Sequence, residues 1–144
     1  MPQICFLYVD NDPDACTILS SFCERIGTLT IKTLNSGEAA LEWLATSTAD
    51  VIVSDYRMPG GMDGMLLLRT LHARGNTTPF IFFSATDDPA ARKKAFDEGA
   101  FGFIGRNSAG RSPIYPLIRA VFWAVGYTRQ PGSAKRSHHE EHGT

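Results

Sequence analysis

Ile4 to Val9 is a run of strand length in which apolar side chains follow one another without alternation, and Val51–Val53 and Phe80–Phe83 repeat the pattern. A strand with one wet face alternates apolar and polar residues, whereas an unbroken apolar run suits a strand covered on both faces. The segments between these runs carry helical spacing. That alternation of buried strand and amphipathic helix restricts the chain to the α/β class, with a parallel sheet between two layers of helices.

In order, the first run stops at Asp10-Asn11-Asp12, and Asp12 before Pro13 makes an N-cap with proline at the first helical position. Ala15, Ile18, Leu19, Phe22 and Ile26 recur at helical spacing until Gly27. Leu29 to Leu34 alternates and contains β-branched residues, which predicts a strand at or near an edge. Ser36 opens a second helix to about Thr46, with Ala40, Leu41, Leu44 and Ala45 inward. The third strand is Asp50 to Ser54, and its helix runs from Asp63 to about Ala73 on a face of Leu66, Leu67, Thr70 and Leu71, closed by Gly75-Asn76.

The fourth strand, after Pro79, ends at Ser84-Ala85-Thr86, and Asp88-Pro89 starts a helix that stops at Gly99. Phe101 to Ile104 is a short fifth strand. Pro113 or Pro116 sets the start of a last helix carrying Leu117, Ile118, Val121, Phe122 and Val125, with Gly126 as its stop. Residues 1–128 thus make one domain, and the polar stretch 129–144 reads as a disordered tail. Three tail histidines, His138, His139 and His142, beside Glu140 and Glu141, read as solvated rather than metal-binding.

Composition removes several function classes. With 43% hydrophobic residues among 144 the chain can build a core, and a net charge of −1 gives no general pull toward nucleic acid or membrane surfaces. Cys5, Cys16 and Cys23 are odd in number and lack CxxC spacing, so they read as reduced core thiols. No signal-peptide pattern or bilayer-length apolar segment is present, and a cytoplasmic setting is expected.

In an open α/β sheet the ligand crevice lies outside the carboxyl ends of the strands. Asp10 and Asn11 after the first strand, Asp55 after the third, Ser84 after the fourth and Arg106 after the fifth should therefore meet. Clustered oxygen side chains suit a hard cation such as Mg²⁺ that shares phosphate oxygens, and a hydroxyl and a cation opposite could hold the same phosphoryl group.

These residues resemble the receiver domain of two-component response regulators over roughly residues 3 to 126. The matching motifs are Asp10-Asn11, Asp55 ahead of Met58-Pro59-Gly60-Gly61-Met62-Asp63-Gly64, Ser84-Ala85 and Arg106-Asn107. The resemblance implies a flavodoxin-like doubly wound (βα)5 fold with a five-stranded parallel sheet in the order 2-1-3-4-5. It also implies that Asp55 accepts a phosphoryl group from a histidine kinase or phosphotransfer protein. Mg²⁺ would sit on Asp10, Asn11, Asp55 and the backbone carbonyl of Arg57, Ser84 and Arg106 would hold the phosphate, and Ser84 and Phe103 would form the switch. The output would be a surface of the fourth helix, fifth strand and fifth helix for a downstream protein, or for a second copy in a homodimer. Only weak intrinsic phosphotransfer and self-hydrolysis are expected, with no direct nucleic acid or membrane binding.

Four positions depart from that family's pattern. Asn11 replaces its second acid, removing one negative charge. Arg106 replaces its lysine with a larger, planar cation, and the proline that follows that lysine is missing. Gly61 is an extra residue in the turn. These departures keep a second function in view, a degenerate receiver acting as a phosphorylation-independent interaction module. A third, an enzyme or flavin carrier on the same scaffold, finds no P-loop, no GxGxxG turn, and no His or Cys among the strand-end residues.

Overall fold

The computed structural model describes residues 3–85, 88–106 and 112–129. Five strands, β1 (Ile4–Val9), β2 (Leu29–Leu34), β3 (Val51–Ser54), β4 (Phe80–Ser84) and β5 (Gly102–Gly105), alternate with five helices. The helices are α1 (Pro13–Ile26), α2 (Gly37–Leu44), α3 (Gly64–Ala73), α4 (Pro89–Asp97) and α5 (Ile114–Arg129). All neighbouring strands pair in parallel, in the order β2-β1-β3-β4-β5. This is the flavodoxin-like fold expected, with β2 at an edge.

The unbroken apolar strands divide their side chains between two cores, because successive residues point to opposite faces. Phe6, Tyr8, Val51, Val53, Ile81, Phe83 and Ile104 pack with Leu19 and Cys23 of α1 and with Leu117, Ile118, Val121 and Val125 of α5. Leu7, Val9, Ile52, Phe80, Phe82 and Phe103 face Ala40 of α2, Met65, Leu68 and Leu71 of α3, and Ala91, Ala95 and Phe96 of α4. Asp12, Ser36 and Asp88 start their helices as predicted, and Asp63, expected as the first helical residue, is the N-cap of α3; each side chain accepts a backbone N–H of the first turn.

Several expectations needed correction. Leu66 is 47% exposed, and Met65 and Leu68 take the core positions instead. Four consecutive apolar residues leave the phase of a helix open, and the Asp63 cap turns Leu66 and Thr70, one turn apart, away from the deepest core. Ala45 is exposed, because α2 ends at Leu44. β3 starts at Val51 because the Asp50 side chain turns back to accept the Cys5 N–H at 2.8 Å. β4 runs on to Ser84, and β5 is shifted one residue, from Gly102 to Gly105.

Gly126 does not end α5, which continues to Arg129. It lacks the left-handed conformation of a helix stop, and the buried Val121, Ala124 and Val125 hold the surrounding turns against the sheet. Thr86, the loop beginning at Asn107 and the expected tail beyond Arg129 lie outside the described residues. Cys23 is a buried free thiol, while Cys5 and Cys16 are free and only partly buried. Among the described residues no helix is long and apolar enough to cross a membrane.

Candidate functional site

Backbone pairing continues past the strand ends and sets the site. The Asp10 N–H donates to the Leu34 carbonyl, the Asp55 N–H to the Val9 carbonyl, and the Arg106 N–H to the Ser84 carbonyl at 2.8 Å. Asp10, Asp55 and Arg106 are therefore placed on one edge by the sheet itself, and their side chains converge.

Asp10 is buried, and both oxygens of its carboxylate have partners. One oxygen, Oδ1, accepts the Asp12 N–H at 3.0 Å. The other, Oδ2, accepts the Tyr8 hydroxyl and forms an ion pair with Arg106 Nη2. Arg106 is itself held at several points. Its Nε donates to the Phe83 carbonyl at 3.2 Å, its Nη2 to the Tyr8 hydroxyl at 3.0 Å, and its guanidinium carbon lies 4.8 Å from the centre of the Phe83 ring. From there Nη2 stands 3.9 Å from Asp55 Oδ1.

Asp55 is half-buried, and that burial raises its pKa. The Arg106 charge pulls it back down, the Asp10 charge raises it, and the N–H groups of Tyr56 and Arg57 lower it as hydrogen-bond donors to the carboxylate. Burial first, and then the bond to Asp10, push the Tyr8 phenol well above its ordinary range, so Tyr8 remains a neutral donor.

The turn after Asp55 has two tight points. Gly64 opens α3 directly against the strand end, where a Cβ would lie 2.3 Å from the Asp55 carbonyl oxygen and 2.8 Å from the Phe82 ring. The Gly60-Gly61 loop passes through the left-handed conformation at Gly60 (φ +91°) and is tied to α2, where Glu38 accepts the Met62 N–H at 3.0 Å.

Of the residues singled out from the sequence, Asp10, Asp55 and Arg106 come together. Ser84 is buried at the end of β4 beside Gly105 of β5. Asn11 and the Arg57 side chain are exposed. Phe103 is buried in the α2–α4 core against the rings of Tyr56 and Phe82, and Arg92 donates to its carbonyl at 3.1 Å. Sequence reasoning missed Tyr8. Its signal was a tyrosine inside an otherwise apolar strand, where a buried hydroxyl needs a polar partner, two residues before Asp10 on the same face.

How far a hard dication would suit these residues follows from how their oxygens are used. Among the described residues no group of three His, Cys, Asp or Glu side chains could hold a metal ion. Asp10 has both oxygens engaged, and a cation on it would lie beside a guanidinium. At about 4 Å and an effective dielectric of about 20, each pair of unit charges interacts by ~4 kcal/mol, and a dication would meet twice that. As arranged, the donor set does not fit Mg²⁺.

The response regulator receiver domain family matches residues 6–111. NtrC, a DNA-binding transcriptional regulator of Escherichia coli (strain K12), is 38% identical over 96 residues, which is 67% of this chain and 20% of NtrC. DctD, the C4-dicarboxylate transport transcriptional regulatory protein of Rhizobium meliloti, is 32% identical over 112 residues, 78% of this chain and 24% of DctD. The chain thus matches about a fifth to a quarter of the length of these relatives. Among solved structures, the receiver domain of Francisella response regulator 1452 superposes with a TM-score of 0.77 at 26% identity, covering 88% of this chain and all of that one. The chain belongs to the response regulator receiver domain family. That family pairs with histidine kinases and is generally Mg²⁺-dependent.

Proposed function

We propose that this chain is a phosphoacceptor receiver of a two-component system, phosphorylated on Asp55 by a sensor histidine kinase or phosphotransfer protein. The observation that carries this is the placement of Asp55: a half-buried carboxylate at the end of β3, facing a cation 3.9 Å away. Burial and the neighbouring Asp10 make it more basic, and hence a better nucleophile toward phosphorus, while Arg106 and the amide donors favour its charged form. The same guanidinium supplies donors to the incoming phosphoryl oxygens, the electrostatic help that phosphoryl transfer needs.

Ser84, at the next strand end, is the hydroxyl assigned to the phosphorylated state. Its movement and that of Phe103 would bias the surface of α4, β5 and α5 toward a downstream protein partner or a second copy of the chain. Catalysis is limited to weak phosphotransfer and self-hydrolysis, direct nucleic acid binding is not required, and free thiols at Cys5, Cys16 and Cys23 suit a cytoplasmic setting. The Mg²⁺ ligands implied by the resemblance, Asp10, Asn11, Asp55 and the Arg57 carbonyl, do not fit a dication as arranged.

Phosphoramidate with Mg²⁺ present, followed by intact mass measurement, tests this. The expected result is one added phosphoryl mass in wild type and none in Asp55→Asn. Addition that persists in Asp55→Asn would remove Asp55 as the acceptor, and no addition would leave the phosphorylation-independent interaction module as the function.

A further inference from the structure

We propose, given the phosphoacceptor role of Asp55 set out above, that Arg106 is the resident cation of this site, standing on Asp10 where a dication would bind, so that phosphoryl transfer to Asp55 proceeds without Mg²⁺. Three independent features converge on this assignment.

The first is occupancy. Asp10 is the buried acid of the strand-end cluster, and the Tyr8 hydroxyl, the Asp12 N–H and Arg106 Nη2 already satisfy its carboxylate. The second is anchoring. The Arg106 N–H on the Ser84 carbonyl, Nε on the Phe83 carbonyl and the guanidinium on the Phe83 ring fix this side chain at the end of β4. A guanidinium keeps its charge whatever it touches, and the same Nη2 that holds Asp10 is the Arg106 atom nearest Asp55.

The third is charge. With Asn11 neutral, the side chains at the site are two carboxylates, Asp10 and Asp55, and one guanidinium, Arg106. One excess negative charge is a weak lure for a dication, which also has to shed water to bind. The same excess charge tolerates a monovalent cation that is already in place.

In the transfer step, an Asp55 carboxylate oxygen attacks the phosphorus of phosphoramidate. The new O–P bond forms as the P–N bond breaks, and the electron pair of that bond departs on the nitrogen, which already carries its protons and leaves as ammonia. Arg106, 3.9 Å from Asp55 Oδ1, meets the charge on the transferred oxygens.

The test compares phosphoramidate labelling of the wild-type chain in EDTA and in Mg²⁺ by intact mass, alongside uptake of Mn²⁺ followed by the electron paramagnetic resonance of the free ion. Labelling rates within about twofold of one another, and no Mn²⁺ uptake at millimolar concentration, are expected. Arg106→Gln should slow labelling in EDTA by about tenfold or more, recover it with Mg²⁺, and bind Mn²⁺ in a manner that adding Asp10→Asn removes. Wild-type labelling that is about tenfold or more faster with Mg²⁺ would overturn the resident cation while leaving Asp55 as phosphoacceptor. If neither condition labels the wild type, the phosphoacceptor role falls, and Mn²⁺ uptake still decides about Arg106. Uptake by the wild type that Asp10→Asn removes overturns the assignment, whereas uptake only after Arg106 is replaced upholds it. The comparison within the wild type requires no variant to fold.

Discussion

Alanine in place of glycine should have opposite effects at two helical positions, Gly64 and Gly126. Both lie within helices, and neither has a positive φ. Helix propensity alone favours alanine by up to about 1 kcal/mol at each. At Gly126 a Cβ meets nothing within 4 Å, so Gly126→Ala should stabilise the fold by about 0.5–1 kcal/mol. At Gly64 the same Cβ would sit 2.3 Å from the Asp55 carbonyl oxygen, an atom that also accepts the Ser54 hydroxyl at 2.8 Å. Carbon–oxygen contacts close no nearer than about 3.3 Å, so the strand end and α3 must part by roughly 1 Å. That movement weakens a hydrogen bond of about 1 kcal/mol and adds overpacking of 1–3 kcal/mol, for a net loss of about 1–3 kcal/mol after the helix gain. Urea unfolding read as a shift in midpoint at constant slope measures both changes, and phosphoramidate labelling of Gly64→Ala should slow because the shift falls on Asp55 itself. A neutral or stabilised Gly64→Ala would refute the close approach.

Other consequences can be checked by similar means. The Asp55 pKa is raised by burial, so its ionisation works against the folded state: this contribution is favourable below the unfolded carboxylate pKa and is lost as pH rises through the folded value. Asp55→Asn should accordingly unfold at a higher temperature than wild type at pH 7, with the difference shrinking toward pH 4; a difference that grows on acidification would contradict the sign. Leu66→Gln should change stability by less than about 0.5 kcal/mol, while Leu68→Ala costs about 2–5 kcal/mol, and equal losses in urea titrations would restore Leu66 to the core. Asp50→Ala leaves the Cys5 N–H without its acceptor and should cost about 1–3 kcal/mol; faster hydrogen exchange at the Cys5 amide would place the loss there.

The sequence made the architecture legible because the strands lack alternation and the helices begin at strong caps. Asp12-Pro13 and Asp88-Pro89 mark helix starts by local chemistry alone, and both hold. The errors fall where local chemistry is silent. Leu66 was misplaced because four apolar residues in a row do not set the phase of a helix. Gly126 was read as a stop because a glycine far along an amphipathic run looks like a C-cap, yet here tertiary packing carries the helix past it. At the site, parallel topology was enough to bring Asp10, Asp55 and Arg106 to one edge. That Arg106 would pair most closely with Asp10 depends on Tyr8 and on the Phe83 carbonyl and ring, contacts between residues far apart in the chain that no pattern along it reveals.

The bond between Glu38 and the Met62 N–H ties the turn after Asp55 to α2. With one end at Asp55 and Met62 bonded to Glu38, the turn bridges the end of β3 and the start of α2, so the strand end and the helix are joined by a short covalent path and one hydrogen bond.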